Sequence, residues 1–389
     1  MSFDLFVFAG ETSGDVHGAT ILKRLKEAYP DIRITGVAGP RMREIGLSLF
    51  MPMENFQIMG YSDVFKNIFR LIHYFKKVRN FILKEQPKAV LFIDYPGFNL
   101  RMAKALRRRK FPNKLIHYIC PTVWAHGKKR VFTLAQTLDL LLSIFPFEKQ
   151  YFSQTKLKPT YIGHPLIEQT LDHKKNDDWK SNFSIPQEMP LIGVFPGSRS
   201  QEINQNFPKI LASCELFKER NPEYGFVLSI VNSKLRALME EFLKGSPLKI
   251  GVDIFLISSK ENLQIMSHVK SALATSGTIT FELGVMHVPT VVVYHLTKMN
   301  AWVARYWIRL NLPYYCIVNI ITKKHIFPEL YYLDFIPQKV ANTLESLSKN
   351  SYLRENSLKG CKEMLSIMSS KKPPSELAAE EIGSMIYDG

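Results

Sequence analysis

Residues 3–18 read FDLFVFAGETSGDVHG. Phe3–Ala9 is an apolar run interrupted only by Asp4, the pattern of a strand buried on both faces of a parallel sheet. Gly10 follows at once, then Glu11, Thr12, Ser13, Gly14 and Asp15, then a helical pattern. Strand, glycine turn and helix in that order open a βαβ unit. Glycine after the strand lets backbone N–H groups approach a ligand, and the next helix offers its positive end. A tight turn with Ser13 or Asp15 as helix cap accounts for the same residues. The spacing is not GxGxxG. Neither that motif nor GxxxxGK[ST] occurs elsewhere, so the dinucleotide and P-loop readings lose their support.

Outward from this stretch the alternation continues. Ile32–Val37, Ala89–Ile93, Leu115–Ile119, Leu138–Ile144 and Thr160–Ile162 read as strands of a first set, with helical patterns between most of them. Leu191–Phe195, Phe226–Val231, Asp253–Leu256, Ser271–Thr275 and Thr290–Val293 read as a second set. The fold class is therefore α/β, with two doubly wound Rossmann-like domains. The polar stretch EQTLDHKKNDDWKSNFSIPQEMP separates the sets. The expected division is a first domain over 1–167, a linker over 168–189, a second domain over 190–336 and a helical tail over 337–389 that packs back. Two such domains facing a cleft would bind ligands at the carboxyl ends of their strands.

The chain has 389 residues, 46% of them hydrophobic and 22% charged, enough for sizeable cores and against intrinsic disorder. No apolar run reaches the ~20 residues that span a bilayer, and no signal peptide is read at the start. Lys and Arg number 51 against 35 Asp and Glu, a net charge of +16, which favours an anionic partner: nucleic acid, an acidic membrane or a phosphorylated substrate. Four well-separated cysteines form no CxxC and fit a reduced, cytoplasmic protein. Ten histidines show no HxH or HExxH spacing. No metal site and no cofactor is expected.

Three loops after strands carry chemistry. Asp94-Tyr95-Pro96-Gly97-Phe98-Asn99 places a carboxylate at a strand's carboxyl end, where it can accept a proton from a substrate hydroxyl; a plain helix cap accounts for it too. Pro196-Gly197-Ser198-Arg199 offers close backbone approach, a hydroxyl and a guanidinium suited to phosphate. Ser276-Gly277-Thr278 opens a helix on which Glu282, four residues beyond Thr278, shares a face and can accept from a ribose diol. Two phosphate-type loops in one domain suggest a nucleoside diphosphate. No DxD triplet clamps a divalent ion, so Arg199 and helix N-termini would carry the diphosphate charge.

Residues 65–84 read FKNIFRLIHYFKKVRNFILK, without an acid. Phe65, Ile68, Phe69 and Ile72 continue into a wide apolar stripe, and Lys66, Arg70 and Lys77 line another face. Basic and aromatic residues at helical spacing suit an interfacial helix on anionic lipid, or an ordinary core-facing helix with a solvated basic face.

The motifs in their order resemble lipid-A-disaccharide synthases: AGETSGD at 9–15, GVAGPRM at 36–42, MGYSDV at 59–64, DYPGFN at 94–99, YICPTVWAH at 118–126, FPFEKQYF at 145–152, IGHP at 162–165, PGSRSQEI at 196–203, TSGTITFE at 275–282 and FPEL at 327–330. The resemblance implies a GT-B inverting glycosyltransferase of lipid A biosynthesis. It would join UDP-2,3-diacylglucosamine to 2,3-diacylglucosamine 1-phosphate (lipid X), giving a β-1′,6 tetraacyl disaccharide 1-phosphate and UDP. It implies a peripheral protein on the cytoplasmic face of the inner membrane. It carries Asp94 over as a candidate base and Ser198, Arg199, Ser276, Gly277, Thr278 and Glu282 as UDP contacts; Gly197 is expected at the same UDP site, and Glu11 is expected as a second acid that positions the acceptor or helps Asp94. Ser13, Asp15 and Asn99 are expected at the acceptor. His126 stands where the family often has a second Trp. The family can dimerise through its C-terminal region, here Leu312–Tyr332. Alternatives are another UDP-N-acetylglucosamine-dependent lipid transferase, a UDP-sugar epimerase and, more distantly, a basic nucleic-acid-binding protein, although no RRM, KH or zinc pattern appears and no nucleic-acid partner is expected.

Overall fold

A computed structural model describes residues 3–56, 61–124, 128–171, 173–295 and 313–388. The chain forms two compact units, Met1–Pro165 with Ser370–Gly389, and Leu166–Ser369.

Among the described residues the first unit has seven strands: β1 (Leu5–Ala9), β2 (Ile34–Ala38), β3 (Ser48–Pro52), β4 (Ala89–Ile93), β5 (Lys114–Tyr118), β6 (Leu140–Ser143) and β7 (Thr160–Tyr161). They pair in parallel in the order β3-β2-β1-β4-β5-β6-β7. Successive side chains leave a strand on opposite faces. Val7, Ala9, Leu91 and Ile93 therefore enter one core with Ile21, Leu22 and Leu25 of helix Thr12–Ala28. Phe6, Phe8, Val90 and Phe92 enter another, with Val78 and Ile82 of helix Tyr61–Glu85 and Met102 and Leu106 of helix Pro96–Arg108. Burial on both faces is why β1 and β4 are apolar throughout.

Among the described residues the second unit has six strands: β8 (Leu191–Phe195), β9 (Gly225–Ile230), β10 (Ile254–Ser258), β11 (Val269–Thr275), β12 (Thr290–Tyr294) and β13 (Glu329–Tyr331). All pairs are parallel, in the order β10-β9-β8-β11-β12-β13. Helices Ser200–Arg220 and Pro337–Ser348 pack on each other and bury Ile210, Leu211, Val340 and Leu344 with the sheet.

Three expectations are revised. The segment 168–189 packs within the second unit: Trp179 is buried, its Nε1 donates to Glu261 Oε2 at 3.2 Å, and its ring stacks on His268 at 5.0 Å. Its polar composition reflects a solvated surface around one aromatic anchor. The tail does not behave as one piece, because 337–369 belongs to the second unit and the last helix, Pro374–Tyr387, to the first. Strands β3 and β13 were not legible; both lie at sheet edges, where one side goes unpaired and the apolar pattern thins.

Candidate functional site

In an open parallel sheet the crevice forms where strand order reverses, between neighbours whose connections run to opposite sides. In the second unit that point lies between β8 and β11, since β9 and β10 extend one way and β12 and β13 the other. The loops after β8 and β11 are Pro196–Arg199 and Ser276–Thr278. They flank a cavity of about 690 Å³ lined by Gly197, Ser198, Arg199, Ser276, Gly277, Thr278 and Glu282 among others. The structure thus brings together every residue assigned from sequence to the UDP group.

Gly197 takes φ +110°, a conformation that a side chain would strain. The turn leads into helix Ser200–Arg220, with Arg199 at its N-cap and 80% of its side chain exposed. Gly277 precedes helix Thr278–Val285, whose Glu282 is partly buried. Burial pushes that carboxyl up to about 7. Its charge, and with it the strength of its acceptor oxygens, therefore changes near neutral pH. Thr275 Oγ1 donates to Phe195 O at 3.3 Å and ties the ends of the two switch-point strands. Sequence reasoning gave no role to the far wall. Ser229 lies near the end of β9 and Val231 just after it, and Lys260, Asn262 and Leu263 follow β10. Ser229 Oγ donates to Asn262 Oδ1 at 2.7 Å. The available signal was position alone: both loops end strands beside the switch point.

In the first unit strand order reverses between β1 and β4. Ala9 pairs with Ile93, so Gly10-Glu11 lies beside Asp94-Tyr95. Asp94 and Tyr95 have φ +45° and +46°, consecutive left-handed residues that are not glycine. Such a turn costs about 1–3 kcal/mol per residue and persists only when its surroundings over-determine it. Here they do. Asp94 N–H donates to Tyr118 O at 2.9 Å, and Asn99 Nδ2 donates to Asp94 O at 2.6 Å and Ile93 O at 3.3 Å. The Tyr95 ring lies where a Cβ on Gly10 would come within 2.6 Å, and its hydroxyl donates to Phe56 O at 3.3 Å. Burial raises the Asp94 carboxyl above the usual carboxylate range, against a lowering hydrogen bond from the Tyr95 backbone.

Glu11 and Ser13 are exposed on the adjoining turn. Asp15 points elsewhere. Its buried carboxylate accepts from the N–H groups of Gly39 (2.9 Å), Arg41 (2.9 Å) and Met42 (3.1 Å), capping the turn at Pro40. Asp15 is thus an anchor between two loops, a correction to its acceptor assignment. Asn99 is corrected likewise: its amide is buried beneath the Asp94 turn, which it positions. Around the same edge Phe145 stacks on Phe147 at 5.4 Å and packs on His164 at 5.2 Å, while Trp124 meets Phe147 edge-on at 6.1 Å. Burial lowers His17 to about 4, leaving it neutral at pH 7.

A model of the family described as lipid-A-disaccharide synthetase matches residues 5–382. The chain belongs to the lipid-A-disaccharide synthase family. A lipid-A-disaccharide synthase of Chlamydia pneumoniae is 35% identical over 385 residues, 98% of this chain and 62% of the relative. The chain thus spans about three fifths of the length of the chlamydial relatives it matches. A relative in Anaeromyxobacter dehalogenans (strain 2CP-C) is 30% identical, over 98% of this chain and 97% of the relative. Among solved structures, UDP-GlcNAc 2-epimerase from Neisseria meningitidis bound to UDP-GlcNAc superposes with TM-score 0.61 at 13% identity, over 99% of each chain. The calicheamicin glycosyltransferase CalG4 gives 0.60 at 14% identity, also over 99% of each. Such likeness speaks for the fold, which is GT-B.

Helix Tyr61–Glu85 holds the segment read from sequence as basic and aromatic. Val78 and Ile82 are core residues, so the stripe read from sequence divides along its length. Phe69 is 82% exposed and Ile72 46%, with Arg70 and Lys77 also exposed. The side chains of Phe65, Lys66 and Ile68 lie outside the described residues, as do residues 59–60 of MGYSDV, His126 and Leu312. Among the described residues no helix is long and apolar enough to cross a membrane, and no cluster of three His, Cys, Asp or Glu is placed to hold a metal ion.

Proposed function

We propose that the chain transfers the 2,3-diacylglucosamine unit of UDP-2,3-diacylglucosamine to the 6-hydroxyl of 2,3-diacylglucosamine 1-phosphate, with inversion, releasing UDP. The observation that carries this reading is the pair of phosphate-type loops meeting at the switch point of the second unit, above Glu282. Family membership supports the lipid A disaccharide as product.

Asp94 is the general base. A raised pKa gives its carboxylate more proton affinity than an ordinary aspartate, which suits a base. It takes the proton of the acceptor hydroxyl as that oxygen attacks the anomeric carbon. The anomeric C–O bond to UDP breaks, and charge gathers on the diphosphate. Arg199 and the N–H groups at the starts of helices Ser200–Arg220 and Thr278–Val285 stabilise it. One displacement inverts the centre. Glu11 helps to position the acceptor, and no metal is required. The acylated substrates are met at an anionic membrane surface by the exposed part of helix Tyr61–Glu85, with the protein peripheral on the cytoplasmic face.

The test is turnover in detergent with both lipids and a chelator, read by mass spectrometry. Tetraacyl disaccharide phosphate and UDP are expected. Asp94→Asn, checked for folding, should lower turnover by about 10²–10⁴-fold. Near wild-type turnover would remove Asp94 as base. Absence of product with UDP still bound would point to a different acceptor or donor.

A further inference from the structure

Glu202 has no part in the scheme above, yet its carboxylate lies on the donors that scheme needs. It sits in the first turn of helix Ser200–Arg220. Oε2 accepts the Ser198 N–H at 3.3 Å, and Oε1 pairs with Arg199 Nη1 at 3.0 Å. Oε2 also lies 2.9 Å from where a Cβ on Gly197 would stand, so the carboxylate is pressed against the phosphate-type loop itself. The turn that carries it is fixed from behind. Asn206 is fully buried, its Nδ2 donates to Glu202 O at 2.8 Å, and its Oδ1 accepts the His295 N–H at 2.6 Å.

We propose that Glu202 is a built-in competitor anion, which a diphosphate must displace from the Ser198 N–H and the Arg199 guanidinium in order to bind. The inference rests on the nucleotide reading given above and deepens it by naming what tempers the site's affinity for a diphosphate. One N–H cannot serve a carboxylate and a phosphate oxygen at full strength, and two anions within hydrogen-bond distance of one guanidinium repel each other. The Arg199–Glu202 pair is exposed on the arginine side and only three residues apart in sequence, the kind of ion pair that contributes little and breaks readily. A ligand with the charge of a diphosphate can therefore displace it. A nucleoside or a neutral sugar cannot. The carboxylate thus sets how tightly a charged ligand is held at the loop without touching the rest of that ligand.

Glu202→Gln keeps the length of the side chain and an acceptor oxygen for Ser198 N–H but removes the charge. Calorimetry on the full chain should then show UDP binding about fivefold tighter, from the loss of one like charge near contact distance in a solvated site, with uridine affinity unchanged. Glu202→Ala, the second variant, should move UDP in the same direction. Melting curves confirm that each variant is folded. A merely structural Glu202 that aims Arg199 at the phosphate gives the opposite sign. Unchanged or weaker UDP binding in the folded variants overturns the inference while leaving the nucleotide site standing. Wild-type protein that binds neither UDP nor uridine overturns the site and the inference together.

Discussion

Asp94 and Asp15 have the same side chain at the same kind of position, shortly after a central strand, and the structure gives them different work. Asp94 stands on a strained turn with a raised pKa and is only partly buried. Asp15 is saturated by three backbone donors. Those donors lie 24 to 27 residues away in sequence, so no local spacing could have revealed them. The second unit was more legible, because Ser198, Arg199 and Glu282 reach one cavity from the loops and helix their own local sequence specifies. Glu282 carries a testable consequence. Burial alone raises it to about 7. An ionised carboxylate accepts more strongly from a ribose diol than a protonated one, so uridine affinity should rise with pH through about 7 and fall in acid. Because the folded pKa lies above the unfolded one, the same group favours the folded state most below the usual glutamate range. That contribution is lost as pH climbs through about 7. Glu282→Gln should flatten the pH dependence of uridine binding, measured by calorimetry between pH 5.5 and 8.5 (roughly 1.5 units each side of neutrality). A slope that survives the substitution assigns the titration to another group.

At the scale of the element, helix Tyr61–Glu85 shows what periodicity can and cannot say. A stripe at three- and four-residue steps predicts an apolar face, but a protein core and a lipid surface ask for the same stripe. Packing divides it: Val78 and Ile82 face the β1 and β4 aromatics, while Phe69 and Ile72 face outward beside Arg70. Lys77 leans over the Phe50 ring at 6.0 Å, so part of its stem covers apolar surface while the charge stays wet. If the exposed part docks on anionic lipid, removing Phe69 and Ile72 forfeits apolar burial without touching the core. Phe69→Ser with Ile72→Ser should weaken binding to phosphatidylglycerol-containing vesicles by about tenfold or more, at ~1.5–3 kcal/mol per fully buried side chain, while leaving the melting temperature unchanged. Equal sedimentation of the double variant and the wild type would place membrane contact elsewhere.

The whole molecule was legible as two doubly wound sets, because strands buried on both faces must be apolar throughout and the chain shows them twice. How its last residues are shared between the units was not legible, since helix Pro374–Tyr387 carries its partners on no local motif. Ala378, Ala379, Ile382 and Ile386 enter the core beside helix Thr12–Ala28. Gly383 sits where a Cβ would come within 2.3 Å of the Tyr29 ring. Tyr387 stacks on Tyr29 at 4.7 Å, with Lys88 over its ring at 4.9 Å. The chain thus leaves the first unit at Pro165 and closes that unit's core only with its final helix. Every residue lining the nucleotide-type cavity falls between Phe195 and Glu282, inside the second unit. A chain ending at Ser369 should therefore expose the apolar face of helix Thr12–Ala28 and lose the cooperative unfolding of the first unit, on the order of several kcal/mol for four buried side chains. UDP affinity should stay within about twofold of the full chain, since the cavity loses no lining residue. Denaturant unfolding followed with and without UDP separates the two, because a ligand stabilises only the unit that binds it. In the full chain UDP should shift one transition, and in the truncated chain that transition should remain. Loss of UDP binding on truncation would mean that the last helix supports the nucleotide site as well as the core it visibly completes.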